Sequence, residues 1–298
     1  MSKFLSILLC CRSAVKQFFH NKCQLFMIGI SFLIVTNVTA QKSTLPMEKL
    51  NQYFDLSQQD ITYHQQQYRL FIAAPKLQQS HKLFFLLDAN AQFPIALSKI
   101  DVTKPLPLIV GIGYITDKDY AVPERTRDYT FPTVGEEFAK GGKAEDFLNF
   151  IVTQVLPTIH QQYQIKKSLF FGHSFGGLFG LYTLFTRTHT FDDYVLASPS
   201  LWWGNGSITQ YWTNKDQQPH SVTLTIGEYE QNPSADPHID PERLARIKQR
   251  RQQLRVENVN QQFLTQQWNS ELISIPKTNH GSSIPFAIEI AIRKIQSD

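Results

Sequence analysis

Residues 170–177 read Phe-Phe-Gly-His-Ser-Phe-Gly-Gly, so Ser174 has Gly172 and Gly176 two positions away on either side. A serine hydroxyl attacks a carbonyl only when a neighbouring base takes its proton. The spacing suits that task. A nucleophile can be mounted on a sharp strand-to-helix turn, where glycine lets the strand and helix approach closely. Such a turn lifts Ser174 Oγ above the sheet and aims a helix N-terminus at developing negative charge. The competing reading is a glycine-rich turn in which Ser174 only caps the helix. The apolar run before the motif and the helical spacing after it favour the nucleophile.

A serine on such a turn is followed along the chain by an orienting acid and then by a histidine base. Of nine histidines, His280 alone lies beyond the last predicted strand, in Asn279-His280-Gly281-Ser282. His238 is the rival, in the polar stretch 235–240. The acid is expected after the apolar run Val222 to Ile226, where Gly227-Glu228-Tyr229-Glu230 offers two carboxylates. On an extended chain, residues two apart are displaced by about 6–7 Å, so only one can meet the imidazole. Glu230 is favoured over Glu228, with Asp236 as a third candidate. Its work is to fix the ring tautomer and stabilise the imidazolium. An oxyanion hole needs two backbone N–H groups. Phe175 supplies one, and the turn Asp88-Ala89-Asn90 supplies the other, with Asn90 preferred.

Positioning these groups on one rim takes a sheet whose strands end together. Short apolar runs alternate with helical spacing throughout the chain, the pattern of an α/β fold. Tyr68 to Ala73, Leu83 to Leu87, Leu106 to Val110, Ser168 to Phe171, Tyr194 to Ala197, Val222 to Ile226 and Leu272 to Ile275 read as strands. Several are apolar on both faces, as in a mostly parallel sheet covered by helices. Helices are expected over 144–163, 178–185 and 284–295. The stretches 113–142 and 198–221 read as long aromatic-rich loops. Asp240-Pro241 begins a further helix, with Asp as N-cap and Pro in the first position. Its arginines and the next (Arg243, Arg246, Arg250, Arg251, Arg255) read as a solvated face, with a docking surface for an anionic partner as the alternative. Nothing in the sequence marks a linker, so a single domain over 41–298 is expected.

Composition narrows the partners. The 298 residues are 42% hydrophobic and 18% charged, which excludes wholesale disorder. The formal charge of +4 comes from residues 1–40, which hold Lys3, Arg12, Lys16 and Lys22 and no acid. The rest balances, so no basic surface for nucleic acid is expected. All three cysteines (Cys10, Cys11, Cys23) lie in the same stretch. It reads as a basic segment, an apolar run from Leu25 to Val35, and Val38-Thr39-Ala40, the pattern of a signal peptide cut before Gln41. An uncleaved anchor is the alternative, although eleven apolar residues fall short of the roughly 20 that span a bilayer. Cleavage leaves an exported chain, periplasmic or secreted, with no stable membrane association. It also leaves no cysteine for disulfides, thiol chemistry or metal ligation.

Six segments occur in a telling order: Tyr68-Arg69-Leu70-Phe71, Leu86-Leu87-Asp88-Ala89-Asn90, Gly111-Ile112-Gly113-Tyr114, Arg125-Thr126-Arg127-Asp128-Tyr129-Thr130, Gly172 to Leu178, and Ala197-Ser198-Pro199-Ser200-Leu201-Trp202-Trp203. Together they resemble the esterase-D-like branch of the α/β hydrolases, and within it the siderophore trilactone esterases of the enterobactin and bacillibactin type. The resemblance spans about residues 55–295. It implies an α/β-hydrolase fold, no metal or other cofactor, and hydrolysis of ester bonds in a small-molecule macrolactone, with or without its iron. A ferric tris-catecholate is a flat-faced trianion. Arg125 and Arg127 are expected to meet its charge, and Trp202 and Trp203 its rings, with one tryptophan buried and one lining the cleft. The bland alternative for the arginines is pairing with Asp128. Two other functions fit the same residues: a general or feruloyl-type esterase or acyltransferase, and a catalytically silent binding protein using the same cleft.

Overall fold

The structure is a computed structural model and describes residues 47–77, 80–213 and 217–297, all within one compact unit. The proposed signal peptide and the three cysteines lie outside the described residues. A one-turn helix α1 (Met47–Leu50) leads into strands β1 (Phe54–Tyr63) and β2 (Gln66–Pro75). Then follow β3 (Lys82–Leu86), α2 (Ala89–Ser98), β4 (Leu108–Gly113) and α3 (Val122–Tyr129). Helices α4 (Ala144–Phe150) and α5 (Leu156–Gln162) are joined by the π-helical stretch Ile151–Val155. Next come β5 (Lys167–His173), α6 (Phe175–Thr186), β6 (Asp193–Ala197), β7 (Ser221–Gly227) and α7 (Glu228–Gln231). Helices α8 (Pro241–Arg250) and α9 (Val256–Thr265), strand β8 (Ser270–Ile275) and helix α10 (Ile284–Ser297) end the chain.

The eight strands form one sheet in the order β1-β2-β4-β3-β5-β6-β7-β8. The pairs β1–β2 and β2–β4 are antiparallel, and every pair from β4 to β8 is parallel. The α/β pattern read from the sequence is therefore correct. Alternation along each central strand splits the core in two. Phe85, Val110, Phe170 and Leu196 pack on one face with α3 to α6 and α9, and Phe84, Ile109, Phe171 and Val195 on the other with α2 and α10. Because β3, β5, β6, β7 and β8 run parallel, their C-terminal ends and the turns that follow share one edge.

Several elements differ from the sequence reading, β1, α2, α3 and α9 among them. Strand β1 is exposed along most of its length, so it lacks the apolar alternation that marks a half-buried strand. Helix α2 carries Pro94 in its interior, and α3 lies inside the stretch read as loop. Helix α9 buries only Val256, Val259 and Phe263.

The turn between β5 and α6 is a tight joint. Ser174 has φ 61° and ψ −117°, a conformation costly for any side chain-bearing residue. A Cβ on Gly172 would stand 2.2 Å from the carbonyl oxygen of Gly176, and backbone cannot retreat as a side chain can. Gly172→Ala is expected to cost about 1–3 kcal/mol or more, read as a drop in Tm of roughly 2–4 °C per kcal/mol. Gly281→Ala has no atom nearer than 4.0 Å to its new methyl and serves as the neutral comparison. Equal melting of the two variants would contradict the close approach.

Candidate active site

Ser174 leaves β5 with its N–H donating to the Ala197 carbonyl at 2.9 Å, and its own carbonyl accepts from Leu178 N–H at 3.0 Å. Strand and helix thus hold the residue from both sides, with its hydroxyl at the sheet edge. His280 arrives on the turn between β8 and α10, and its Nε2 lies 2.9 Å from Ser174 Oγ. Glu230 sits in α7, immediately after β7, and its Oε2 lies 2.6 Å from His280 Nδ1. The structure brings the three residues singled out from sequence into one hydrogen-bonded chain.

The choice between the two carboxylates is settled by α7. The expectation of an extended chain after β7 is corrected: residues 228–231 form one helical turn, which points positions two apart to opposite sides. Glu228 Oε2 accepts from the Lys277 N–H at 2.7 Å and so anchors the backbone that carries His280. Glu230 Oε1 accepts from the Ser198 hydroxyl at 2.6 Å and the Gly227 N–H at 3.1 Å. Burial alone would raise the Glu230 carboxyl, but these donors and the His280 ring outweigh it and hold the group below the usual carboxylate range. The carboxylate therefore favours its anionic form and accepts three hydrogen bonds. Asp236 accepts from the His238 N–H and stays within its own loop, as does His238.

One further histidine fixes the base. His173, the residue before Ser174, is buried and bonds the carbonyl oxygen of His280 at 2.8 Å through Nε2. Burial pushes its imidazole down to about 3, with the neighbouring His280 ring adding to the effect. It is neutral near pH 7, and its Nε2–H donates to that carbonyl.

Of the two residues expected to form an oxyanion hole, Phe175 lines the cavity and Asn90 sits on the neighbouring turn. Phe175 opens α6, so its N–H belongs to the first turn, which has no intrahelical acceptors. The Asp88-Ala89-Asn90 turn lies against Gly176, where a Cβ would come within 3.7 Å of Leu87 and 3.8 Å of Asp88. The Asn90 carboxamide is fully used: Oδ1 accepts from Tyr114 N–H, and Nδ2 donates to the Tyr114 and Thr116 carbonyls. That leaves its backbone N–H, also in a first helical turn, as the group of interest.

The expectation for Arg125 and Arg127 is corrected. Arg125 is 9% exposed and grips the buried Asp88 carboxylate with two hydrogen bonds of 2.8 Å. Its guanidinium also lies 5.4 Å from the Phe175 ring centroid. Arg127 pairs with Asp128 in the same bidentate way, at 2.7 and 2.8 Å. Neither lines the cavity that holds Ser174. Two buried carboxylates need counter-charges, and these arginines are consumed in supplying them. The tryptophans divide as expected. Trp203 is 2% exposed and donates Nε1–H to the Phe131 carbonyl, while Trp202 lines the cavity.

Charge in the cavity comes from elsewhere. Ser174, Glu230 and His280 open into a hollow of about 460 Å³, with Trp202, Leu254 and Val256 among its apolar walls. Arg243, Arg246, Arg250, Arg251 and Arg255 line it too, all on or just beyond α8. The helix begins as expected, with the Asp240 carboxylate accepting from Arg243 N–H at 2.8 Å. Its basic face lines the mouth of the site, where Arg246, Arg250 and Arg255 remain exposed to solvent. Arg250 stands 4.0 Å above the Trp202 ring centroid. Arg251 pairs with Glu257, while Arg243 and Arg250 have no carboxylate partner among the described residues. The missed signal was periodicity: positions 243, 246, 247 and 250 share one helical face.

With this geometry in hand, the comparisons become specific. The family model described as "Putative esterase" matches residues 106–276. The chain belongs to that esterase family. It is 34% identical over 193 residues to the ferri-bacillibactin esterase BesA of Bacillus subtilis, a match covering 55% of this chain and 66% of that one. It is 37% identical over 145 residues to a siderophore enterobactin esterase of Emericella nidulans, covering 42% and 48%. These matches span less than two thirds of the relatives' own length. Among solved structures, the siderophore hydrolase EstA from Aspergillus nidulans superposes with a TM-score of 0.73 at 25% identity, covering 85% of this chain and 97% of EstA. The BES protein from Bacillus cereus shares the fold, with a TM-score of 0.67 over 87% of this chain.

The unequal carboxylates can be separated by mutation. Glu230→Gln should lower kcat for ester hydrolysis by about 10²–10⁴-fold, as for other acids that orient a histidine base. Glu228→Gln should leave kcat within severalfold and lower Tm, because it loosens the backbone at Lys277. The opposite ranking in steady-state rates would transfer the role.

Proposed function

We propose that this protein is a serine esterase that hydrolyses ester bonds of a siderophore, with an anionic catecholate trilactone as substrate. The observation that carries the reading is the Ser174–His280–Glu230 chain opening into an arginine-lined cavity. Ser174 Oγ attacks the ester carbonyl as His280 Nε2 takes its proton, and Glu230 stabilises the imidazolium. The Phe175 and Asn90 N–H groups receive the developing oxyanion. His280 returns the proton to the leaving alcohol, and water repeats the sequence on the acyl-enzyme. The siderophore names of BesA, EstA and the Emericella relative support the substrate class. So does the cavity itself: guanidiniums complement the negative charge of a tris-catecholate, and Trp202 offers a flat face to its rings.

Export is part of the proposal, on the residue types of 1–40, with cleavage before Gln41. N-terminal sequencing of the secreted chain checks it.

The substrate reading is tested with a catecholate trilactone, iron-loaded and iron-free, against p-nitrophenyl acetate. Ser174→Ala should abolish hydrolysis of all three. Arg246→Ala/Arg250→Ala should raise KM for the iron-loaded trilactone about tenfold or more, while kcat/KM for the small neutral ester stays within about threefold. Hydrolysis of the acetate alone would point to a general esterase. Binding without any turnover would point to a silent binding protein.

A further inference from the structure

Ser174 Oγ has a second hydrogen-bond neighbour. Besides His280 Nε2 at 2.9 Å, the Ser200 hydroxyl lies at 3.1 Å. A proton count gives the direction of this contact in the form of the site that has a neutral His280 base. Glu230 can only accept, so His280 holds a proton on Nδ1, and in the neutral form a general base must have, its Nε2 is bare toward Ser174. Ser174 gives its single hydroxyl proton to that nitrogen. Its oxygen keeps lone pairs, and Ser200 is the group that donates to one of them.

The backbone that delivers Ser200 is specialised for the purpose. Ser198-Pro199-Ser200 follows β6 directly. Ser198 has φ 43°, a left-handed conformation unusual for a residue other than glycine, and its N–H donates to the Thr225 carbonyl at 2.7 Å. Its hydroxyl donates to Glu230 Oε1. Two residues later, Ser200 N–H donates to the Ser174 carbonyl at 3.0 Å. Ser200 is 4% exposed, yet it forms part of the cavity wall. One three-residue segment therefore holds both ends of the Ser174–His280–Glu230 chain.

We propose that Ser200 is a further catalytic residue, whose hydroxyl donates to Ser174 Oγ and stabilises the negative charge that builds there. The inference rests on Ser174 being the nucleophile. In acylation the Oγ–H bond breaks toward His280 Nε2 while the Oγ–carbon bond forms, and the carbonyl electron pair moves onto the carbonyl oxygen. The Ser200 donor lowers the cost of the charge that Oγ carries during this proton transfer. In deacylation water adds to the acyl carbon and gives a proton to His280. The carbon–Oγ bond then breaks, and Oγ leaves with its electron pair before the proton returns from Nε2. The same donor stabilises it as a leaving group. Ser200 keeps its own proton throughout.

The step is isolated by the rate of phosphonylation with a fluorophosphonate, which requires attack by Ser174 Oγ and no deacylation. Ser200→Ala should slow phosphonylation and kcat for p-nitrophenyl acetate by about 10–100-fold, the range for a hydrogen bond to a charged oxygen. KM should stay within about threefold. Ser200→Cys keeps a weaker donor at similar volume and should fall between alanine and wild type. Phosphonylation of Ser200→Ala within twofold of wild type would overturn the inference and leave the esterase reading standing. So would a Ser200→Cys rate no faster than alanine, since shape alone would then account for the loss. A wild-type chain that takes no label would overturn the nucleophile reading, and this inference with it.

Discussion

The approach of β5 to α6 at Ser174 is the constraint on which the site depends. Only glycine at 172 allows the Gly176 carbonyl to come so near, and the chain then turns through a strained Ser174. Strain of this kind costs of order 1–3 kcal/mol and persists only where surrounding structure over-determines it. Here the surroundings are the parallel sheet. The Ala197 carbonyl on β6 takes the Ser174 N–H, and the turn after β6 returns to bond the Ser174 carbonyl. Fixing the nucleophile thereby fixes the segment that carries Ser198 and Ser200, and through Ser198 the acid.

Charge is distributed in two tiers around this turn. Arg125 and Arg127 are committed to Asp88 and Asp128, inside the fold. A buried pair of this type adds little net stability, but losing one partner strands a charge and is costly. The Arg125 pair ties α3 to the Asp88 turn and sets its guanidinium beside Phe175 at the start of α6, while the Arg127 pair stays within α3. The α8 arginines are the opposite case. None of that helix is fully buried; Arg246 pairs with Glu242, while Arg243 and Arg250 line the cavity with no carboxylate partner among the described residues. The first tier lies behind the Ser174 turn, and the second places positive charge at the cavity.

The sequence made the catalytic end legible and the substrate end misleading. Apolar runs and glycines sit where β5 must meet α6, so Ser174 followed from local pattern. His280 and Glu230 followed from the order of elements along a parallel sheet. The preference for Glu230 over Glu228 as the neighbour of His280 did not require knowing that α7 is helical, although the extended geometry assumed for it was wrong. Helix α3 escaped because its buried residues are Arg125, Asp128 and Tyr129, and hydrophobic periodicity does not register a helix held inward by ion pairs. Strand β1 escaped for the converse reason, being an exposed edge. The α8 arginines were misread because a basic helical face looks the same in sequence whether it meets water or a cavity.

Three serine hydroxyls stand around this cavity, Ser174, Ser198 and Ser200, and the central claim is that their geometry makes one of them a nucleophile. The direct measurement is peptide mapping by mass spectrometry after reaction of the intact protein with diisopropyl fluorophosphate. A single adduct on Ser174, absent in His280→Ala under the same conditions, is the expected result. An adduct on Ser198 or Ser200, or labelling of Ser174 that is indifferent to His280, would contradict the account.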